Sequence, residues 1–129
     1  MVKCGSFLPY ADTDFFVALA IPSDRLHASA IGIYDRYSGK IYTSLTTIIE
    51  LALISERLKQ DLEELMSNVL GITKVEDADK AKVMMAVNLI ENRSFGIFDA
   101  FHAAFCNGEI ISSDHIYDRA GIKRIKIQY

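Results

Sequence analysis

With 129 residues, half of them hydrophobic, the chain is long enough for one domain over residues 1–129 and too apolar for intrinsic disorder. No apolar run reaches the roughly 18 residues of a membrane-spanning helix, and the N-terminus lacks a signal-peptide pattern, so we expect a cytoplasmic protein. The net charge of −3 argues against a broadly basic surface. Cys4 and Cys106 lack the spacing of a zinc site, and we expect both thiols to be reduced.

In the first half of the chain, short apolar runs alternate with helix signals. The strands are predicted from runs of β-forming residues, and the helices from helical spacing of apolar residues behind a capping residue. The expected elements are a buried strand at 7–11 that ends near Asp12, a loop or short helical turn at 15–20, a helix capped by Ser23 and ending at 38–39, a strand at 40–43, and a helix capped by Ser44 that continues to Gly71.

The second half continues the alternation. The expected elements are a very short strand at 72–75, a helix that begins behind the acids Glu76, Asp77 and Asp79, a loop at 92–96, a helix at 97–106, a strand at 109–112, a short helix at 114–120, and a final strand at 122–127. Acids in a first turn suit the helix dipole, and the basic residues of the last strand suit an exposed sheet edge. Strands separated by helices imply right-handed crossovers, so we predict an α/β fold with a parallel sheet covered on both faces.

Four carboxylates stand out because they lie inside or against apolar sequence: Asp12, Glu50, Asp99 and Asp114. Acidic side chains are almost never buried unless they are paired or bind a metal. In an open parallel sheet, ligands bind beyond the carboxyl ends of the strands, and all four positions can converge there. Unpaired carboxylates repel one another, and hard divalent cations such as Mg²⁺ or Mn²⁺ relieve that repulsion. Without these four acids the net charge of −3 becomes +1.

The segments around these acids resemble the PIN-domain nuclease family, in particular its small VapC-type toxins. The matching segments, in the family's order and spacing, are YADTDFFVAL, TSLTTIIELAL, FGIFDAFHAAF and EIISSDHIYDRAGIKRI. The resemblance implies a three-layer α/β/α fold with a central, mainly parallel sheet of four or five strands. It places the family's acidic quartet on Asp12, Glu50, Asp99 and Asp114. It also implies Mg²⁺- or Mn²⁺-dependent hydrolysis of RNA, a small antitoxin as partner, and a homodimer.

Further polar residues lie near the expected site. The family usually has a neutral residue where this chain has Asp14, which is therefore either an extra acid behind the ligands or exposed. Asp118 is an alternative to Asp114, but the SSD triplet favours Asp114 at the strand end. His102 shares a helical face with Asp99, and we expect a packed, hydrogen-bonded histidine more than a donor to a metal ligand. Ser44 and Ser112 match small polar positions of the family's site, or they serve as a cap and a turn.

Three other functions stay open from the sequence. A PIN nuclease can process RNA without an antitoxin, and a PIN-like domain can bind metal and a partner after losing catalysis. A phosphate-switch protein of the response-regulator type would use the Asp12 and Asp14 pair. It would also need an aspartate at the end of the third strand and a lysine at the end of the fifth. Neither fits well, and Glu50 would have no role.

Overall fold

A parallel sheet forms the centre of the computed structural model, which describes residues 8–55, 57–76 and 79–128. The strands are β1 (Tyr10–Ala11), β2 (Tyr42–Ser44), β3 (Lys74–Glu76), β4 (Glu109–Ser112) and β5 (Lys123–Lys126). They form a five-stranded sheet in the order β3-β2-β1-β4-β5, and every pairing is parallel. The predicted parallel sheet is confirmed, and the basic last strand lies at its edge as expected.

Helices cover both faces of this sheet. They are α1 (Thr13–Ala20), α2 (His27–Tyr37), α3 (Leu45–Ser55), α4 (Leu62–Ile72), α5 (Lys80–Arg93), α6 (Ile97–Phe105) and a 3₁₀ helix (His115–Ala120). Successive strand residues point to opposite faces, so Ala11 and Ile111 pack against α1, α2, α3 and α4, while Tyr10 and Ile110 pack against α5 and α6. Two cores therefore flank one sheet, which confirms the three-layer α/β/α architecture.

The strand order separates this fold from that of response regulators. In those proteins the order is 2-1-3-4-5, whereas here β1 lies between β2 and β4, and β3 is an edge strand. The phosphate-switch alternative therefore loses its structural basis. The same order places the carboxyl ends of β2, β1 and β4 side by side, which is where the acidic sequence segments converge.

Several predicted boundaries in the first half of the chain are wrong. Residues 15–20, predicted as a loop or short helical turn, belong to the longer helix α1, which Asp12 caps by accepting a hydrogen bond from the Asp14 N–H. Ser23 does not cap α2, whose N-cap is Leu26. The Asp24 carboxylate accepts a hydrogen bond from the Leu26 N–H, so the chain makes a turn before that helix begins.

The helix predicted from Ser44 to Gly71 is two helices. Lys59 has a φ of 55°, a left-handed conformation that interrupts a helix, and the Asp61 carboxylate then caps α4 by accepting from the Glu64 N–H. Gly71 does not end α4, which continues to Ile72. Ser44 is the last residue of β2, so that strand extends one residue further than predicted.

In the second half the predicted elements hold, with shifted ends. The strand β3 begins two residues later than expected, and α5 continues to Arg93, where Ser94 ends it in a left-handed conformation with a φ of 60°. Cys106 is a free, buried cysteine, and burial raises the pKa of its thiol to about 11. Among the described residues, no helix is both long and apolar enough to cross a membrane. The predictions for Cys4, Phe7 and Asp77 lie outside the described residues.

Candidate active site

The carboxyl edge of the three central strands carries the acidic residues. Asp12 directly follows β1, and Asp114 comes two residues after the end of β4. Glu50 lies in α3, the helix that directly follows β2, and Asp99 lies in the first turn of α6. The fold thus brings all four predicted acids to one region at the edge of the sheet.

Asp12 and Asp14 join the start of α1 to the end of β4. Asp12 is 5% exposed, and its backbone N–H donates to the Ile111 carbonyl at 3.4 Å. Burial raises the pKa of Asp12 well above its usual range, and the negative charge of Asp14 raises it further. One carboxylate oxygen of Asp14, Oδ2, accepts from both the backbone N–H and the hydroxyl of Ser113. Its other oxygen, Oδ1, is buried and has no hydrogen-bond partner within the described residues.

Ser112 connects this pair of acids to Asp114. A hydrogen bond from Ser112 lowers the pKa of Asp12 against the larger effect of burial. The Ser112 hydroxyl also accepts from the Asp114 N–H at 2.9 Å. Asp114 is exposed and caps the 3₁₀ helix through the Ile116 N–H, at 2.9 Å. Ser112 thus holds the strand end in contact with both acids, in keeping with its predicted place near the site.

Glu50 is half-buried and is held through one carboxylate oxygen. Its Oε1 accepts from the Thr13 hydroxyl and from His102 Nε2, the latter at 3.0 Å. Burial acts to raise the pKa of Glu50, but the hydrogen bonds from His102 and Thr13 outweigh it and lower the pKa below the ordinary value. His102 is 1% exposed, so it is a packed, hydrogen-bonded histidine as predicted and also a neighbour of a predicted site acid.

Asp99 lies between other negative charges. Burial raises the pKa of Asp99, and the charges of Asp114 and Glu50 add to this effect, while His102 partly offsets it. The Tyr117 hydroxyl donates to Asp99 Oδ1 at 3.4 Å. Burial raises the pKa of Tyr117, and so do the surrounding charges of Asp12, Asp99 and Asp114. The electrostatic influence of the acids on one another and on Tyr117 shows that they share one region.

Three basic side chains form ion pairs with acids outside the predicted quartet. These pairs join Lys82 to Glu76, Lys123 to Glu109 and Arg124 to Asp118. Arg124 hydrogen-bonds to the exposed Asp118 and holds the pKa of that carboxyl below its usual range. Asp118 is therefore placed as a surface ion-pair partner, whereas Asp114 is placed beside Ser112.

No three His, Cys, Asp or Glu side chains of the described residues are close enough to hold one metal ion as they stand. The acids influence one another electrostatically without forming a closed set of ligands. The region contains four carboxylates, whose oxygens are hard donors, and the pKa values of Asp12 and Asp99 are raised. It also contains the buried Asp14 Oδ1, which has no hydrogen-bond partner within the described residues.

Sequence reasoning missed four polar residues of this region. Tyr10, Thr13, Thr47 and Ser113 all hydrogen-bond to site residues or to His102. Tyr10 carried a usable signal, because a tyrosine in a buried strand needs a partner for its hydroxyl. Thr13 lies between two acids of the DTD triplet and could have been singled out on that ground. Ser113 and Thr47 carried no signal beyond being small and polar.

The fold and its acidic edge define a parallel α/β/α domain with a carboxylate-based site. The chain belongs to the PIN domain family, whose sequence profile matches residues 10–123. The predicted resemblance is confirmed, and membership of this family supports a nuclease, that is, a hydrolase acting on nucleic acids. Comparison with curated protein sequences finds no significant match.

Three solved structures share this fold. Mycobacterium tuberculosis VapC20, a Sarcin-Ricin loop cleaving toxin, superposes with a TM-score of 0.77 at 19% identity, over 91% of this chain and 98% of that one. A toxin-antitoxin complex from Klebsiella pneumoniae gives 0.65 at 17% identity, over 82% and 86%. FitAB bound to an IR36 DNA fragment gives 0.65 at 12% identity, over 93% and 95%. At these identities the likeness shows the shared fold.

Proposed function

We propose that this protein is a metal-dependent endoribonuclease that hydrolyses RNA phosphodiester bonds, and that it is the toxin of a toxin-antitoxin pair. The observation that carries the proposal is the meeting of Asp12, Glu50, Asp99 and Asp114 at the carboxyl edge of a PIN-domain sheet. Carboxylates in this number suit a site that attracts cations.

The residues fit Mg²⁺ or Mn²⁺ in donor type and in charge. Both ions prefer carboxylate and water oxygens. Burial raises the pKa values of Asp12 and Asp99, neighbouring negative charge raises them further, and a cation would relieve that charge. The unpartnered Oδ1 of Asp14 is a further buried oxygen beside Asp12. We assign Asp12, Glu50, Asp99 and Asp114 as the residues that would hold the ion.

When bound, such an ion supplies Lewis-acid activation of water and stabilises charge on the phosphate. The chain's own groups then have distinct tasks. Glu50, whose pKa is lowered, stays ionised and contributes a permanent charge. Asp99 lies half-buried beside the charges of Asp114 and Glu50, and a carboxylate of this set would accept the proton of the attacking water. Asp12 sits at the buried end of the site and ties α1 to β4.

The choice of RNA and of an antitoxin partner rests on the family likeness. One structural neighbour is a Sarcin-Ricin loop cleaving toxin and another is a toxin-antitoxin complex. We therefore propose a small antitoxin that binds this chain and covers the acidic site, a homodimeric state, and a cytoplasmic location. A reading frame for a small protein beside the gene, and growth arrest on expression without it, would support the toxin role. A lone gene without growth arrest would favour RNA processing. A monomer at micromolar concentration in sizing with light scattering would refute the dimer.

Cleavage of labelled single-stranded RNA tests the activity. The wild type should cleave with Mg²⁺ or Mn²⁺ and not with chelator, and Asp99→Asn should abolish cleavage without unfolding the chain. Glu109→Gln is the matched control, because Glu109 begins β4 at the opposite edge of the sheet and pairs with Lys123. Full activity of Asp99→Asn would exclude the assigned site. Cleavage that persists in chelator would exclude the metal dependence.

A further inference from the structure

A chain of buried hydrogen bonds runs from the end of β2 across β1 to the carboxylate of Glu50. Ser44 Oγ lies 2.7 Å from the Tyr10 hydroxyl, which lies 2.8 Å from His102 Nδ1. His102 Nε2 then lies 3.0 Å from Glu50 Oε1. Ser44, Tyr10 and His102 are each at most 2% exposed. Leaving any one of these buried groups unpaired would destabilise the folded chain, so the arrangement is strongly held.

The donors and acceptors of this chain form one consistent order. The ionised Glu50 carboxylate can only accept, so His102 Nε2 carries the proton that it donates. In the neutral imidazole, Nδ1 is then an acceptor, and the Tyr10 hydroxyl donates to it. The Tyr10 oxygen in turn accepts from the Ser44 hydroxyl. With a neutral His102, each of these groups has a single role in this order.

We propose that Tyr10, His102 and Ser44 are positioning residues that fix the orientation of Glu50 for binding a divalent cation. The inference rests on the proposed metal-dependent function and extends it to residues that touch neither the ion nor the RNA. Glu50 is a long side chain whose side-chain atoms are 27% exposed, so without its partners it would occupy several rotamers. The bonds that the structure shows on its carboxylate end on Oε1, which leaves the lone pairs of Oε2 for a cation.

The test is the affinity of the purified protein for Mn²⁺, measured by electron paramagnetic resonance of the free ion. Loss of a group that orients a metal ligand typically weakens metal binding 10–100-fold. His102→Leu should therefore bind Mn²⁺ about 10–100-fold more weakly. His102→Gln keeps a donor at the ε position and should recover part of that loss. Tyr10→Phe removes one oxygen atom and should weaken binding in the same direction by a smaller factor.

Tyr42→Phe is the matched control. Tyr42 pairs with Tyr10 in the register of the neighbouring strand. Its hydroxyl donates to the Phe105 carbonyl at 2.9 Å and accepts from the Asn107 side chain at 2.8 Å, so it has two partners, like the Tyr10 hydroxyl, and neither is Glu50. Tyr42→Phe should lose about as much thermal stability as Tyr10→Phe and keep the wild-type affinity for Mn²⁺. A purely structural role for Tyr10 would make the two variants alike in both measurements.

The outcomes separate this inference from the proposed function. Unchanged Mn²⁺ affinity in His102→Leu and Tyr10→Phe would overturn the positioning role, while loss of Mn²⁺ binding in Asp99→Asn would leave the metal-dependent function intact. A wild-type protein that binds no Mn²⁺ would overturn both. If His102→Leu does not fold, the comparison of Tyr10→Phe with Tyr42→Phe decides, because each variant differs from the wild type by one oxygen atom.

Discussion

Replacing Asp12 separates its structural role from its electrostatic cost. The side chain caps α1 by accepting from the Asp14 N–H at 3.1 Å, and asparagine can make the same bond, whereas alanine cannot. Burial and the charge of Asp14 raise the pKa of Asp12, so the ionised form destabilises the folded chain. Asp12→Asn keeps the cap and removes the charge, while Asp12→Ala removes both.

The expected magnitudes follow from these two roles. Loss of a cap costs about 1 kcal/mol, which lowers the melting temperature of a domain of this size by about 3–5 °C. Asp12→Ala should therefore melt about 3–5 °C below Asp12→Asn in chelator. Asp12→Asn should melt at or above the wild type at pH 7, because it no longer places a charge beside Asp14. Neither variant should cleave RNA.

The pH dependence of folding stability tests the raised pKa of Asp12 independently. A raised pKa in the folded state means that the folded chain binds more protons than the unfolded chain above about pH 4, so stability falls as pH rises. One such group contributes a slope of at most about 1.4 kcal/mol per pH unit until it ionises in the folded state. The metal-free wild type should show this fall, and Asp12→Asn should show less of it.

Thermal melts in chelator from pH 4 to pH 8 measure both effects. Asp61 provides the matched control, because it caps α4 through the Glu64 N–H at 2.9 Å and lies on the exposed surface. Asp61→Ala should lose stability like any cap, and Asp61→Asn should keep that cap. If Asp12→Asn is as destabilised as Asp12→Ala, or if its pH slope equals that of the wild type, the electrostatic reasoning for this site is wrong.

Three further predictions concern the other acids. Metal-free Asp99→Asn should melt at or above the wild-type temperature, and added Mn²⁺ should raise its melting temperature less than that of the wild type. A lower melting temperature in chelator, with an unchanged shift on adding Mn²⁺, would contradict the acidic pocket. Asp14→Asn should reduce RNA cleavage far less than Asp99→Asn, and an equal loss would make Asp14 a direct ligand. Glu50→Gln should destabilise the metal-free chain at pH 7 and not at pH 3. The pKa of Glu50 is lowered in the folded chain, so its carboxylate stabilises the fold only at pH values above the pKa of the unfolded chain. Thermal melts at both pH values measure this difference.

Part of the fold could be predicted because local signals and tertiary packing agree. The strand β4 matches its predicted range, and α6 ends one residue before its predicted end. Both were predictable because Asn107 and Gly108 separate two strongly apolar segments. Both residues have positive φ angles, which suit these residue types. The parallel sheet followed from the alternation of strands and helices alone.

Other features depended on contacts that the sequence does not display. The sequence predicts only a strand end near Asp12, whereas the Asp12 carboxylate also caps the helix α1. Apolar spacing continues across the gap between α3 and α4, and a left-handed Lys59 has no sequence signature. The contact between Glu50 and His102 joins residues 52 positions apart, so only the folded chain reveals it. The four acids could be singled out from the sequence, because a carboxylate within apolar sequence is rarely buried unless it is paired or binds a metal.

The central claim is that Asp12, Glu50, Asp99 and Asp114 together hold the ion that RNA hydrolysis requires. Anomalous diffraction from crystals soaked in Mn²⁺ tests it most directly. We expect an anomalous peak at the carboxyl edge of β1 and β4, within about 2.0–2.3 Å of carboxylate oxygens from at least two of these residues, with water completing the coordination. A peak only at other acids, or saturating Mn²⁺ without a peak at this edge, would contradict the account.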